Sequence, residues 1–144
     1  MGRPSQGPDQ QPRSPLRRLL ENARRVAVVG LSDKPWRASH GVARYLQSAG
    51  YRIYPVNPHI EEALGERAYP SLDALPEEVD VIDVFRRPEY VADLVEPAIR
   101  SGAKLFWMQQ GVRDANSARR LEEAGLTVIQ DRCLIVDHMG MFPG

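Results

Sequence analysis

The stretch Val26-Ala27-Val28-Val29-Gly30-Leu31-Ser32-Asp33-Lys34-Pro35-Trp36-Arg37-Ala38-Ser39-His40 decides the fold. Its first residues form a short, continuous, β-branched run, the pattern of a central parallel strand covered on both faces. The run breaks at Gly30 into a polar, basic loop, and Ser39 to Ala49 then places Val42, Tyr45, Leu46 and Ala49 on one helical face before Gly50 stops it. A strand that turns through glycine into a helix start is the geometry with which parallel α/β folds hold phosphates.

The alternation continues outward. Ser14-Pro15 reads as an N-cap and first helical position, with Leu16, Leu19, Leu20 and Ala23 as an apolar face. Tyr51–Val56 is a second strand, ended by Asn57-Pro58, and a short pairing strand is expected near Arg67–Tyr69. Val79–Phe85 is a third buried strand. Pro88 opens a helix whose inner face is Val91, Leu94, Val95, Ala98 and Ile99, with a bend expected at Pro97. Strand Ala103–Met108, helix Asp114–Ala124 and strand Leu126–Ile129 follow. Strands alternating with helices imply an α/β, three-layer, doubly wound, mainly parallel five-stranded sheet of Rossmann-like kind.

Bulk properties narrow the function classes. With 144 residues the chain fits one domain, expected over 14–144 after a disordered tail at 1–13 rich in proline and glutamine. Nineteen basic residues balance nineteen acidic ones, so no global field favours nucleic acid or an anionic membrane. No apolar run nears the ~20 residues of a membrane span, and the N-terminus has no signal-peptide core, so a cytoplasmic location is expected. A single cysteine, Cys133, excludes an internal disulfide, and His40, His59 and His138 are too scattered to suggest a metal site. Cys133 reads as an inert thiol beside Arg132.

Ligands of open α/β sheets sit beyond the carboxyl ends of the strands, so those ends are the candidate site. Gly30, Leu31, Ser32, Asp33 and Lys34, with Arg37 and Ser39 beyond, offer a flexible backbone, hydroxyls and countercharge for phosphate; a tight turn with Ser39 as N-cap is the plain alternative. After the second strand a dinucleotide fold places an acid for the ribose, whereas here Val56, Asn57 and Pro58 follow, which argues against NAD. Phe85, Arg86 and Arg87 set two arginines at a helix start, where they oppose the dipole and suit an anionic partner, or line a solvated turn. Met108, Gln109, Gln110 and Gly111 bring two amides that could meet an adenine or cap the next turn. His40 can face the phosphate loop or solvent, and Trp36 can pack or cover a ligand.

With these residues in hand, the chain resembles the small stand-alone coenzyme A-binding domain family, related to the nucleotide-binding domain of the succinyl-CoA synthetase α subunit. The resemblance runs from about residue 23 to about 138. It is carried by V-A-V-V-G-L-S at 26–32, V-A-R-Y-L-Q-S-A-G-Y at 42–51, Y-P-V-N-P at 54–58 and G-E-R-A-Y-P-S-L at 65–72. V-D-V-I-D-V-F-R-R at 79–87, W-M-Q-Q-G-V at 107–112 and A-G-L-T-V-I-Q-D-R-C at 124–133 continue it. The resemblance implies that Gly30 to Lys34, with Arg37 and Ser39, hold the phosphates and pantetheine arm of coenzyme A (CoA). It implies further that Asn57, Pro58 and His59 approach the nucleotide end, that Met108 through Gly111 border the thiol arm, and that Phe85 and Arg86 complete the wall. The synthetases add a second domain with a phosphorylated histidine and an ATP-grasp subunit, neither matched by these motifs, and Gln110 stands where they carry a glutamate. The expectation is therefore a non-catalytic module binding CoA or an acyl-CoA. The alternative is an accessory subunit of an acyl-CoA ligase or a nucleotide-dependent enzyme. A lesser reading makes Cys133 a partner for CoA in a mixed disulfide.

Overall fold

The computed structural model describes residues 14–143; the tail expected over 1–13 lies outside the described residues. In chain order the elements are α1 (Pro15–Asn22), β1 (Arg25–Val29), α2 (Ala38–Ser48), β2 (Arg52–Val56), β3 (Glu62–Ala63) and β4 (Glu66–Arg67). They continue with β5 (Val81–Val84), α3 (Val95–Arg100), β6 (Leu105–Met108), α4 (Ala115–Glu123), β7 (Thr127–Ile129) and α5 (Leu134–Met141). Single 3-10 segments lie at Leu72–Ala74 and Pro88–Leu94.

Five strands form a parallel sheet in the order β2-β1-β5-β6-β7. The chain runs from β1 out to β2, then crosses back over β1 to β5. The strand order therefore reverses between β1 and β5, and a crevice opens beyond their carboxyl ends. Right-handed crossovers send α2 to one face and α3 and α4 to the other. Side chains on the strands alternate accordingly. Val26, Val28, Val81, Leu105 and Trp107 pack with Leu20, Val42, Leu46 and Leu134 under α1, α2 and α5. Ala27, Val29, Ile82, Val84, Phe106 and Met108 pack with Val91, Val95, Ala98 and Leu121 under α3 and α4.

Local chemistry accounts for most boundaries. Ser14 caps α1, its hydroxyl accepting from the Arg17 amide at 3.2 Å, with Pro15 in the first turn. Leu20 is buried while Leu16, Leu19 and Ala23 pack partly against the same cluster, as their spacing predicts. The helix expected from Pro88 is instead a 3-10 segment followed by the short α3. The change from 3-10 to α geometry falls between Leu94 and Val95, and Pro97 sits at the third position of α3, where its missing N–H is not needed. This rotates Ile99 outward, to 38% exposure, while Val91, Val95 and Ala98 are buried. The pairing strand expected near Arg67–Tyr69 is β4, antiparallel to β3, and Tyr69 bridges to Val56. Residues 134–141, where the sequence pattern suggests no element, form α5.

One core residue breaks the apolar rule. Asp83 lies in β5 between Val28 and Trp107, fully buried, with neither carboxyl oxygen hydrogen-bonded among the described residues. Burial pushes its carboxyl well above the usual carboxylate range.

Candidate functional site

Gly30 is the keystone of the rim. Its φ is +88°, and a Cβ there would lie 2.8 Å from the Phe85 carbonyl oxygen. Its N–H donates to Val56 O at 2.8 Å, and Phe85 N–H donates to Val29 O at 2.8 Å. The ends of β2, β1 and β5 are thus drawn together at a point where only glycine fits. The close approach that Gly30 permits is made by the protein's own backbone.

Beyond Gly30 the loop is held from within. Leu31 is buried, the Ser32 amide donates to Ser39 Oγ at 3.0 Å, and the Lys34 amide donates to Ser32 Oγ at 3.0 Å. Ser39 lies inside α2 rather than at its cap, which is Arg37, and no side chain caps that helix. The uncapped amino end of α2 therefore faces the loop with its dipole unopposed by any side-chain acceptor. Asp33, Lys34, Pro35, Trp36 and Arg37 are exposed. Trp36 is 76% exposed, with Lys34 Nζ 5.8 Å from its ring centre. His40 is buried beneath, so it belongs to the interior edge of the loop and not to its solvent face.

A cleft of about 490 Å³ opens beside this loop, lined by Gly30, Asn57, Pro58, His59, Phe85, Arg86, Arg87 and Tyr90. Asn57 clamps its upper edge: Nδ2 donates to Leu31 O at 2.9 Å, while Oδ1 accepts from the His59 amide at 2.8 Å. Asn57 therefore ties the β2 end to the β1 loop. Val56 is buried and only its backbone takes part. Arg86 lies along the floor, its guanidinium carbon 4.8 Å over the Tyr90 ring. Five arginines elsewhere pair with acids: Arg25 with Glu77, Arg100 with Asp73, Arg113 with Asp131, Arg120 with Glu96 and Arg132 with Asp137. Among the described residues Lys34, Arg37, Arg86 and Arg87 make no ion pair. Asp33 is the acid of that loop, and it too makes no ion pair among the described residues.

The β6 end differs from its sequence reading. Met108 is fully buried, and Gln109 is 4% exposed, its Oε1 accepting from the Leu134 amide at 3.3 Å. Gln109 thus seats α5, and of the amide pair Gln110 alone faces solvent. Gly111, with φ +85°, donates to Asp131 Oδ1 at 2.7 Å. The turn adjoins the cleft because β6 is next to β5, but its residues do not line it. Cys133 is half-buried beside it. The cleft includes His59, which the resemblance placed near the nucleotide end, and adds Tyr90 to the candidate set. Tyr90 carried one sequence signal, an aromatic two residues past a helix-opening proline.

A further polar cluster, distant in sequence, closes the opposite flank. His138 Nδ1 lies 2.7 Å from Tyr45 Oη and its Nε2 lies 3.1 Å from Tyr51 Oη, whose hydroxyl donates to Leu20 O at 2.6 Å. With that donor engaged, Nε2 carries the proton and Nδ1 accepts from Tyr45, which fits a neutral ring. Burial lowers the His138 pKa, and burial with Tyr45 pushes Tyr51 up to about 12. A second concavity, about 450 Å³ near Leu19, Asp80 and Lys104, lies at the amino ends of the strands.

The family described as CoA binding domain matches residues 24–139. The chain belongs to that family. A protein of Bacillus subtilis, YneT, is 44% identical over 123 residues, covering 85% of this chain and 91% of its own length. The α subunit of acetate–CoA ligase (ADP-forming) II from Pyrococcus furiosus is 32% identical over 84 residues, which is 58% of this chain but 18% of that subunit. Among solved structures, one from Thermus thermophilus superposes with a TM-score of 0.85 at 42% identity, covering 88% of this chain and 96% of that one. The acetyl-CoA synthetase 1 of Candidatus Korarchaeum cryptofilum superposes at 0.68 with 26% identity, over 76% of this chain and 26% of the enzyme. The fold of this family member is thus the doubly wound CoA-binding domain its strand order describes. No described helix is long and apolar enough to cross a membrane.

Proposed function

We propose that this CoA-binding domain holds coenzyme A or an acyl-CoA at the carboxyl rim, as a binding module without catalysis of its own. The observation that carries the reading is a set of rim cations, Lys34, Arg37, Arg86 and Arg87, that make no ion pair among the described residues, around an uncapped helix start, in a chain that matches the CoA-binding family over residues 24–139. The diphosphate lies against the loop Ser32–Arg37 and the amino end of α2, where backbone N–H groups and Lys34 and Arg37 face it. The adenosine enters the cleft between Asn57–His59 and Phe85–Tyr90. The pantetheine arm runs toward Met108–Gly111, with Gln110 as its polar neighbour. Isothermal titration of the full chain with CoA is expected to give saturable one-to-one binding, with quenching of Trp36 emission. Absence of saturable binding overturns the reading.

A second reading, in which the domain lends its CoA to a partner chain that carries the nucleotide chemistry, is favoured by the match to the ligase α subunit over only 18% of that subunit. Co-purification from native lysate with a nucleotide-binding partner distinguishes it from a solitary module.

A further inference from the structure

We propose that the outer edge of β7 is a self-association surface, on which a second copy of this chain lays its own β7 antiparallel about a two-fold axis at Val128. The inference does not depend on what the carboxyl rim binds.

The two edges of the sheet are treated differently. At one end, β2 is guarded. Arg52 puts a charge at its start, and Pro55 has no N–H to offer. Tyr69 then covers its end: the Tyr69 amide donates to Pro55 O at 2.9 Å, and Tyr69 O accepts from the Asn57 amide at 2.8 Å. At the other end, β7 has none of these devices. Leu126-Thr127-Val128-Ile129-Gln130 holds no charge and no proline, and its three central residues are β-branched. Among the described residues no strand pairs with its outer side.

The backbone of this edge is complementary to itself. The Thr127 N–H donates to Lys104 O at 2.9 Å, so Thr127, and Ile129 two residues on, turn their backbone groups toward β6. In a trans peptide the C=O lies opposite the next N–H. Leu126 O, both groups of Val128 and the Gln130 N–H therefore point outward, and none of them has a hydrogen bond among the described residues. The free acceptor lies two residues before Val128 and the free donor two residues after it. An identical strand running the other way satisfies that pattern: Val128 exchanges a pair of bonds with Val128, and each Gln130 N–H meets the other chain's Leu126 O. Side chains favour the same arrangement. Val128 packs only partly against the cluster under α3 and α4, and Ile129 only partly against the cluster under α1, α2 and α5, so pairing covers more of both. A formal net charge of zero leaves no overall repulsion between copies. The joined sheet runs through both chains, with the two carboxyl rims at opposite ends. Each cleft stays open, because β6 separates β5 from β7.

The test follows the full chain from low-micromolar to millimolar concentration by light scattering and amide hydrogen exchange. The mass is expected to double from 16.2 kDa. Over the same range the Val128 and Gln130 amides become protected, whereas those of Thr127 and Ile129 are protected throughout. Val128→Pro removes an N–H that no bond within the chain uses, so this variant keeps its fold, read by circular dichroism, and stays a monomer at every concentration. Should it not fold, exchange in the unaltered chain decides alone. A single-chain mass throughout overturns the proposal. So does a dimer whose Val128 and Gln130 amides remain unprotected, or one that persists in folded Val128→Pro. Protection of these two amides at every dilution also overturns it, since the chain would then be covering its own edge.

Discussion

The two ends of the same parallel strands are built on opposite electrostatic plans. At the amino end, Asp80 Oδ2 accepts from the amides of Arg24 and Arg25 at 2.8 and 3.0 Å, and Glu77 pairs with Arg25 at 3.2 Å while also accepting from Tyr54. These two acids are engaged within the chain and hold the α1–β1 junction in place. At the carboxyl end, Lys34, Arg37, Arg86 and Arg87 make no ion pair among the described residues, and the groups that shape the loops are neutral: Ser32, Ser39 and Asn57. The lesson is a division of labour along each strand. At one end Asp80 and Glu77 are engaged within the chain; at the other the cations are left without an ion pair among the described residues, as the proposed anionic ligand requires.

The comparison breaks most visibly at Gly30. Gly30→Val places a side chain at φ +88° and within 2.8 Å of the Phe85 carbonyl. Left-handed strain and overpacking together are expected to cost about 2–5 kcal/mol, read as a lower urea midpoint, with CoA binding lost as well. Asp80→Ala sharpens the contrast from the other end. Losing two hydrogen bonds to a charged acceptor is expected to cost about 1.5–3 kcal/mol in stability while CoA affinity stays within twofold. A parallel loss of affinity would show that the two ends are not independent.

Asp83 probes the layer between them. Replacing this unpartnered carboxyl with valine is expected to raise stability by about 1–2 kcal/mol, the desolvation penalty of a buried polar group less some repacking. Because burial raises its folded pKa, the folded chain binds the extra proton. Wild-type stability therefore falls as pH rises from about 4 toward that raised value, and Asp83→Val flattens this part of the profile. A destabilised valine variant would mean that the carboxyl has a partner.

The smallest effect is at His138, whose folded pKa is lowered by burial. Here the unfolded chain binds the proton, so stability is present above about 6.5 and declines as pH falls below it. Denaturation midpoints of His138→Gln between pH 5 and 8 should lack this decline.

Much of the architecture was legible locally. The run Val26–Val29, the helical spacing of Val42 and Leu46 and the Ser14-Pro15 start each carry their own signal. The rim was legible as a set of strand ends, and Gly30, Pro58, Phe85, Arg86 and Arg87 do line one cleft. Gln109 and Asn57 were harder, since an amide looks the same whether it faces a ligand or seats a helix. His59 was named with Asn57 and Pro58 at the second strand's end, whereas Tyr90 joined the cleft only through folding. The 3-10 segment at Pro88–Leu94 turned Ile99 out against its spacing. Helix α5 begins without a side-chain cap, so no local residue announces it.

Composition and pattern alone determined a parallel α/β sheet with its polar and basic residues gathered at the strand ends, because hydrophobic period, glycine and proline act within a few residues of themselves. Tertiary structure decided which of those residues are free and which are engaged. His138 meets Tyr45 across 93 positions and Asn57 meets Leu31 across 26. Hydrogen-bond satisfaction and charge pairing depend on neighbours in space, and only the closed sheet places them there.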